Sequence, residues 1–173
     1  MNALFSLLTP RRALALAFLL AASAMATGYY VQHVDGIEPC PLCVVQRMAF
    51  IASGLIALLG ALLGARARVA LVFAVLADLI AATGLGVAAW HSWLIANPPE
   101  WAQCGRGFGW MLENNSLVAL VPKLFKGEGD CLTVDWTLLG LNIPQWAVLV
   151  FLGMLVLIGL AAIGAIRQLR RAR

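Results

Sequence analysis

Trp146 to Ile166 reads WAVLVFLGMLVLIGLAAIGAI, an apolar stretch without a charged residue. A helix needs roughly 20 such residues to cross the hydrocarbon core of a bilayer. Three further stretches, each with at most one charged residue, run from Ala13 to Gln32, Val44 to Gly64 and Val69 to Trp90. Hydrophobic residues make up 62% of the chain and the mean hydropathy is +0.91, which is too apolar for a soluble domain of 173 residues. The sequence therefore predicts an all-α membrane protein, a bundle of four transmembrane helices forming one domain over residues 1–173.

Charged residues are distributed unevenly between the predicted loops. All acidic residues except Asp78 fall in two of them, at about 33–43 and 91–145. Cytoplasmic segments carry the excess of Lys and Arg, so we predict that both termini are cytoplasmic and that these two loops lie outside. The net charge of +4 could suggest nucleic-acid binding, but the arginines flank membrane spans and have no aromatic residues interleaved with them. The basic residues behind this prediction are Arg11, Arg12, Arg66, Arg68, Arg167, Arg170, Arg171 and Arg173.

The N-terminal segment allows a second interpretation. Arg11 and Arg12, an apolar run and the small residues Ala24-Met25-Ala26 resemble a secretory signal peptide with a cleavage site. The run continues to Val31, which makes it long enough to span a bilayer, so we favour a retained helix. Cleavage would remove one helix and leave the cysteines in the same compartment.

The second outer loop, about 91–145, is the long one. All six tryptophans lie in it or at its edges, as expected at a membrane interface. Apolar residues recur at spacings of three and four between Leu117 and Phe125, which predicts a short membrane-associated amphipathic helix interrupted at Pro122. Packing of this stripe against the rest of the loop is an equally good alternative. Asn142 and Pro144 are predicted to cap and begin the last helix.

Cys40-Pro41-Leu42-Cys43 precedes the second apolar stretch, so Cys43 is predicted to stand at the start of a helix. The partial positive charge of a helix N-terminus favours a thiolate, the reactive form of cysteine. Arg47 follows four residues later and therefore shares a helix face with that sulfur. An arginine inside an apolar segment is costly and is a functional candidate, here as a donor to an oxygen such as a quinone carbonyl. The alternative is that Arg47 reaches the interface or pairs with Asp35 or Glu38.

A C-x-x-C pair is compatible with a redox site, a structural disulfide or half of a zinc site. Cys104 and Cys131 could complete four zinc ligands, but an oxidising exterior favours disulfides, so we predict no metal. A structural disulfide between residues three apart closes a very small loop and gains little entropy. Cys40 and Cys43 are therefore better explained by reactivity, whereas a structural bridge remains a stronger alternative for Cys104 and Cys131.

These residues together resemble the DsbB family, the bacterial inner-membrane quinone reductases that reoxidise the periplasmic thiol oxidase DsbA. The resemblance covers nearly the whole chain, with four spans and two cysteine pairs in the same order. Its residues are Cys40-Pro41-Leu42-Cys43, Arg47, His91, Cys104, Gly129-Asp130-Cys131, Trp136 and Leu139-Gly140-Leu141-Asn142-Ile143-Pro144-Gln145-Trp146.

The resemblance implies a relay of thiol-disulfide exchange. Reduced DsbA would attack a Cys104-Cys131 disulfide, with Cys104 forming the mixed disulfide. Cys131 would then pass the reducing equivalents to Cys40, and Cys43 would be released as the thiolate that contacts the quinone.

The resemblance also implies which residues bind the two substrates. Arg47 would hold ubiquinone or menaquinone, with His91 as a weaker candidate at the end of the third helix. The segment 98–108 would lie extended in a groove of DsbA, which suits its proline-rich start. The expected location is the bacterial inner membrane, with the cysteines in the periplasm.

Two positions and two other functions stay open. Gln46 stands where some family members have an acidic residue, and Asp78 in the third span has no assignable role beyond a protonated or hydrogen-bonded carboxyl or part of a proton path. A non-enzymatic membrane scaffold with structural disulfides is one alternative function. Another quinone-linked thiol oxidoreductase, of the vitamin K epoxide reductase type, is the second.

Overall fold

The computed structural model describes residues 9–37, 39–98 and 136–172. Within these ranges the chain forms four long helices and one small hairpin. All four helices are long and apolar enough to cross a membrane, which confirms the predicted four-helix membrane fold. The elements are α1 (Pro10–Val34), α2 (Pro41–Leu63), α3 (Ala67–Ala96), β1 (Thr137–Leu138), β2 (Leu141–Asn142) and α4 (Ile143–Arg171).

The helices differ from the predicted spans mainly in length. Three of them extend beyond the apolar stretch at both ends, because capping groups and polar first and last turns continue a helix past the hydrocarbon core. The sequence placed His91 at the end of the third helix. The helix continues to Ala96, so His91 lies inside it. The predicted amphipathic helix around 117–125, Cys104 and Cys131 lie outside the described residues.

Each helix that starts at the cysteine end begins with a side-chain cap followed by proline. The Cys40 sulfur accepts a hydrogen bond from the Cys43 backbone N–H at 3.3 Å, and Pro41 opens α2. Asn142 caps α4 in a full capping box with Gln145, which confirms the prediction for this helix start. Proline fits the first turn because its missing N–H would have no intrahelical partner there.

The hairpin β1–β2 directly precedes α4 and was not anticipated. Thr137 pairs with Asn142 and Leu138 with Leu141, around a two-residue turn. Both turn residues have positive φ, 53° at Leu139 and 79° at Gly140, the geometry of the turns that match strand twist. The Trp146 indole donates to the Leu138 carbonyl at 3.1 Å, so the hairpin is held against the first turn of α4.

The bundle packs through small residues. The helices contact one another in the cyclic order α1, α2, α3, α4. Alanines occupy much of the buried core, and small residues let helix backbones approach closely where lipid gives no hydrophobic driving force. Phe50 and Phe151 stack between them, with ring centroids 3.9 Å apart. Buried alanines of this core include Ala13, Ala17, Ala57, Ala74, Ala77, Ala81, Ala88 and Ala161.

The outward faces carry large apolar side chains, as a lipid environment requires. Leu19, Leu62, Leu79 and Val156 are all exposed on the isolated chain. Asp78 is an ionisable residue in the middle of α3, and its buried Oδ1 has no hydrogen-bond partner among the described residues. The alternative of a hydrogen bond to a neighbouring helix is therefore not seen for this oxygen.

The arginines that flank the helices lie at the opposite end of the bundle from the Cys40–Cys43 pair. The start of α1, the α2–α3 turn and the end of α4 share one end, where the Arg11 guanidinium donates to the Ala61 carbonyl at 2.7 Å. Arg66 and Arg68 lie in or beside the same turn. The cysteine pair belongs to the other end, at the start of α2.

Gly84 is a position where close packing can be tested. A Cβ there would lie 2.9 Å from the Ala49 Cβ and closer still to the Phe151 ring. We expect Gly84→Ala to destabilise the bundle by about 1–3 kcal/mol through overpacking. Thermal unfolding of the purified chain in detergent measures this.

Gly86 on the same helix is the matched control, because a Cβ there meets nothing within 4 Å. Gly86→Ala should leave the melting temperature unchanged or raise it slightly, since alanine has the higher helix propensity. Equal losses for the two variants would show that Gly84 is not required for close contact.

Candidate active site

Cys40 and Cys43 form a close pair at the start of α2. Their sulfurs are 2.8 Å apart, in hydrogen-bond contact and not joined as a disulfide. Cys40 is buried as the N-cap residue, whereas Cys43 is half-buried one turn along and lines an open cavity. Because the Cys43 backbone N–H donates to the Cys40 sulfur at the start of α2, this helix end favours negative charge on the pair.

His91 and Gln46 extend this pair into a short polar chain. The His91 Nε2 lies 3.9 Å from the Cys40 sulfur, and its Nδ1 lies 3.1 Å from the Gln46 side-chain nitrogen. Both residues are almost fully buried, with 2% and 3% of their surfaces exposed. A buried imidazole needs partners for both ring nitrogens, and this arrangement supplies a sulfur on one side and an amide on the other.

Arg47 is held against α1 by neutral groups. Its guanidinium donates to the Gln32 side-chain oxygen at 2.5 Å and to the Gly28 carbonyl at 3.0 Å. It also lies 5.4 Å from the centre of the Tyr29 ring, within cation–π range. Of the two acids considered as partners from the sequence, Glu38 lies outside the described residues, and the hydrogen bonds of Arg47 go to neutral acceptors instead. Its positive charge is thus positioned by these bonds and is not neutralised by them.

A cavity of about 350 Å³ joins these groups. Cys40, Cys43, Gln46, Arg47 and His91 all line it, beside mostly apolar walls. The volume falls within the range of roughly 300–1,000 Å³ typical of small-molecule sites, which combine apolar walls with a few placed polar groups. The apolar walls include Phe50, Ile95, Trp136, Leu138, Ile143 and Val150.

The structure therefore brings together four of the six residues that the sequence had singled out. Cys40, Cys43, Arg47 and His91 line one cavity, while Cys104 and Cys131 belong to the residues that are not described. This geometry is compatible with thiol chemistry next to a bound apolar molecule.

Sequence reasoning missed the residues that hold these groups in place. The sequence drew attention to Gln46 because some family members have an acidic residue there, but it did not predict the contact with His91. Its position three residues after Cys43 was the available signal, because residues three apart share a helix face. Gln32 and Gly28 gave no comparable signal, since their role depends on how α1 packs against α2.

Four apolar helices and a pair of thiols in the wall of an apolar cavity are the features of an integral membrane thiol-disulfide exchange protein. The family model described as "Disulfide bond formation protein DsbB" matches residues 10–161. The chain belongs to the DsbB family, and its function lies in disulfide bond formation.

Curated relatives give the same result over nearly the whole chain. A Disulfide bond formation protein B from Azoarcus sp. (strain BH72) is 45% identical over 142 residues, covering 82% of this chain and 86% of that protein. Its counterpart from Verminephrobacter eiseniae (strain EF01-2) is 46% identical over 157 residues, covering 88% and 87%. One from Polaromonas naphthalenivorans (strain CJ2) is 43% identical and covers 95% of each chain. The resemblance inferred from the cysteine motifs is confirmed.

Proposed function

We propose that this chain is a protein-disulfide:quinone oxidoreductase. It reoxidises a DsbA-type periplasmic thiol oxidase and passes the electrons to ubiquinone or menaquinone in the membrane. The observation that carries the proposal is the placement of the Cys40–Cys43 dithiol in the wall of an apolar cavity shared with Arg47. A dithiol that only served as a structural bridge would not need such a cavity.

Apolar walls and one guanidinium suit a quinone as the electron acceptor. The cavity is large enough for a substituted ring and lies between helices that face lipid. Arg47, whose hydrogen bonds within the described residues go to neutral acceptors, can donate to a carbonyl oxygen that becomes more negative on reduction. Cys43 lines the same cavity and is the more exposed of the two thiols, so it is the group that contacts the ring.

The thiol steps balance as two-electron exchanges. The partner's dithiol reduces a Cys104-Cys131 disulfide and leaves as a disulfide. The Cys104 and Cys131 thiols then reduce a Cys40-Cys43 disulfide by thiolate attack. The resulting Cys40–Cys43 dithiol, the form seen here, gives two electrons and two protons to the quinone and becomes a disulfide again.

The energetics of the reaction also support a quinone as the acceptor. A DsbA-type oxidant has a reduction potential of about −120 mV, and each 30 mV is worth roughly 1.4 kcal/mol for a two-electron couple. Few protein disulfides are stronger oxidants than this, so the electrons must leave thiol chemistry at the last step.

The partner would bind at the cysteine end of the bundle. Helix α3 ends at Ala96 on that end, and the chain continues through Asn97 and Pro98 toward Cys104. Proline disfavours helix in the residue before it and favours an extended chain. We therefore propose that the segment 98–108 binds in extended form to the partner, with Cys104 as the attacked sulfur.

Replacement of Cys43 tests the reaction itself. Purified chain in detergent, mixed with reduced DsbA and a soluble quinone analogue, should consume both substrates in equal amounts. Cys43→Ser should abolish quinone reduction, because the group that delivers the electrons is gone. Full turnover by this variant, or no quinone loss with the unchanged chain, would refute the proposal and leave a scaffold role.

Replacement of Arg47 tests the acceptor site separately. We expect Arg47→Ala to raise the quinone KM by roughly 10–100-fold, since a hydrogen bond to a charged group contributes about 1.5–3 kcal/mol. The half-reaction with DsbA should change much less. Arg11→Ala is the matched control, because Arg11 also donates to a backbone carbonyl but at the opposite end of the bundle. Equal loss in both half-reactions would indicate a structural role for Arg47.

The proposed location is the bacterial inner membrane, with both termini cytoplasmic and the cysteines periplasmic. The basic residues at the end opposite to Cys40 support this orientation. In intact, reduced cells, a membrane-impermeant maleimide should label Cys104 and Cys131. A cysteine introduced as Ala65→Cys, in a background without the native cysteines, should react only after the membrane is opened. The reverse pattern would contradict the orientation.

A further inference from the structure

Three potential metal ligands lie close together at the start of α2, the sulfurs of Cys40 and Cys43 and the Nε2 of His91. The Cys40 sulfur lies 2.8 Å from the Cys43 sulfur and 3.9 Å from the His91 Nε2, and the three ligand atoms lie within 4.8 Å of one another. In residues 9–37, 39–98 and 136–172 no other group of His, Cys, Asp or Glu residues meets this spacing. Two cysteines and a histidine form one of the ligand sets that zinc uses in proteins.

We propose that the reduced chain binds a thiophilic divalent ion such as Zn²⁺ through the Cys40 and Cys43 sulfurs and the His91 Nε2. Two thiolates and a neutral imidazole around a divalent ion carry no net charge, so the complex suits a buried site with apolar walls. The fourth position faces the cavity and is open to water or to another small ligand, as in zinc sites with three protein ligands.

The ligand geometry needs only a small adjustment. Zinc–sulfur distances of about 2.3 Å and zinc–nitrogen distances of about 2.0 Å place tetrahedral ligand atoms roughly 3.5–3.8 Å apart. The Cys40 sulfur and the His91 nitrogen already have nearly this spacing, at 3.9 Å. The two sulfurs must separate by about 1 Å, and loss of both thiol protons favours this, because two thiolates repel each other. Cys43 is half-buried and has the cavity beside it to move into.

Gln46 can orient the histidine for this role. Metal-binding histidines usually donate their second ring N–H to an oxygen, which fixes the tautomer and ring orientation. The Gln46 amide faces the His91 Nδ1 at 3.1 Å. Rotation of the amide by half a turn presents its oxygen to an Nδ1–H and leaves the Nε2 lone pair directed at Cys40.

The proposed site exists only when the cysteine pair is reduced. Binding forms two zinc–sulfur bonds and one zinc–nitrogen bond and releases the thiol protons, and no electrons move. Oxidation of the pair to a disulfide removes both thiolate ligands and releases the ion. This differs from a zinc site built from all four cysteines, which the sequence argued against. If the proposed oxidase function holds, the ion keeps the dithiol from being reoxidised and inhibits turnover.

Metal binding can be measured without quinone or partner, so its outcome is independent of the proposed function. The full-length chain carrying Cys104→Ser and Cys131→Ser, reduced with a phosphine, is titrated with Zn²⁺ against a chromophoric chelator. We expect one Zn²⁺ per reduced chain and none after oxidation of the Cys40–Cys43 pair. Co²⁺ as a spectroscopic probe should show tetrahedral bands and charge transfer from two thiolates. A six-coordinate cobalt spectrum, or equal binding by the oxidised chain, would overturn the proposal.

Single substitutions identify the third ligand. His91→Ala should weaken Zn²⁺ binding at least tenfold, whereas His33→Ala, at the other histidine of the chain, should leave it unchanged. His33 is exposed and stacks on Tyr29. Gln46→Leu keeps all three ligands and should weaken binding by about 10–100-fold, the usual effect of losing a group that orients a ligand. Unchanged affinity in a folded His91→Ala variant would remove His91 from the site.

Discussion

The chemistry of this protein depends on where helix α2 begins. Cys40 ends the preceding segment as the N-cap, Pro41 starts the helix, and Cys43 follows within the first turn. This start directs the Cys43 backbone N–H at the Cys40 sulfur and places the Cys43 sulfur 2.8 Å from it, at the partially positive end of the helix, which favours negative charge on the pair. It also places Arg47, one helical turn after Cys43, deeper in the membrane than the cysteine pair. Reactivity and access to the membrane thus arise from a single helix start.

Around this start, the few polar groups of the site are held by one another in an apolar setting. Gln46 holds His91, His91 lies against Cys40, and α1 holds Arg47 through Gln32. An unpaired polar group would be costly in such surroundings. The bonds therefore fix the geometry of the cavity wall, while they leave one thiol and one positive charge able to interact with a bound molecule. The same placement makes the reduced pair a ligand set for a thiophilic ion.

Local patterns in the sequence were sufficient for the helices and for part of the site. Uninterrupted apolar stretches located four spans, and Asn142 with Pro144 located the start of α4, because caps and proline act within one turn. Tertiary relations were not accessible in the same way. His91 lies opposite Cys40 only because α3 continues to Ala96 and packs against α2. The hairpin before α4 is two residues per strand, too short for an alternating pattern to reveal.

Because the interior of the bundle is rich in alanine, the inward face of each helix tolerates fewer substitutions than the outward face. Inward positions such as Ala57, Ala77 and Gly84 hold neighbouring backbones close, so only comparably small side chains fit there. Outward positions such as Leu62 and Leu79 meet fluid acyl chains, which accommodate any apolar shape. Substitutions are therefore tolerated better on the lipid-facing surface than in the interior, where small side chains set the spacing between helices and with it the width of the cavity.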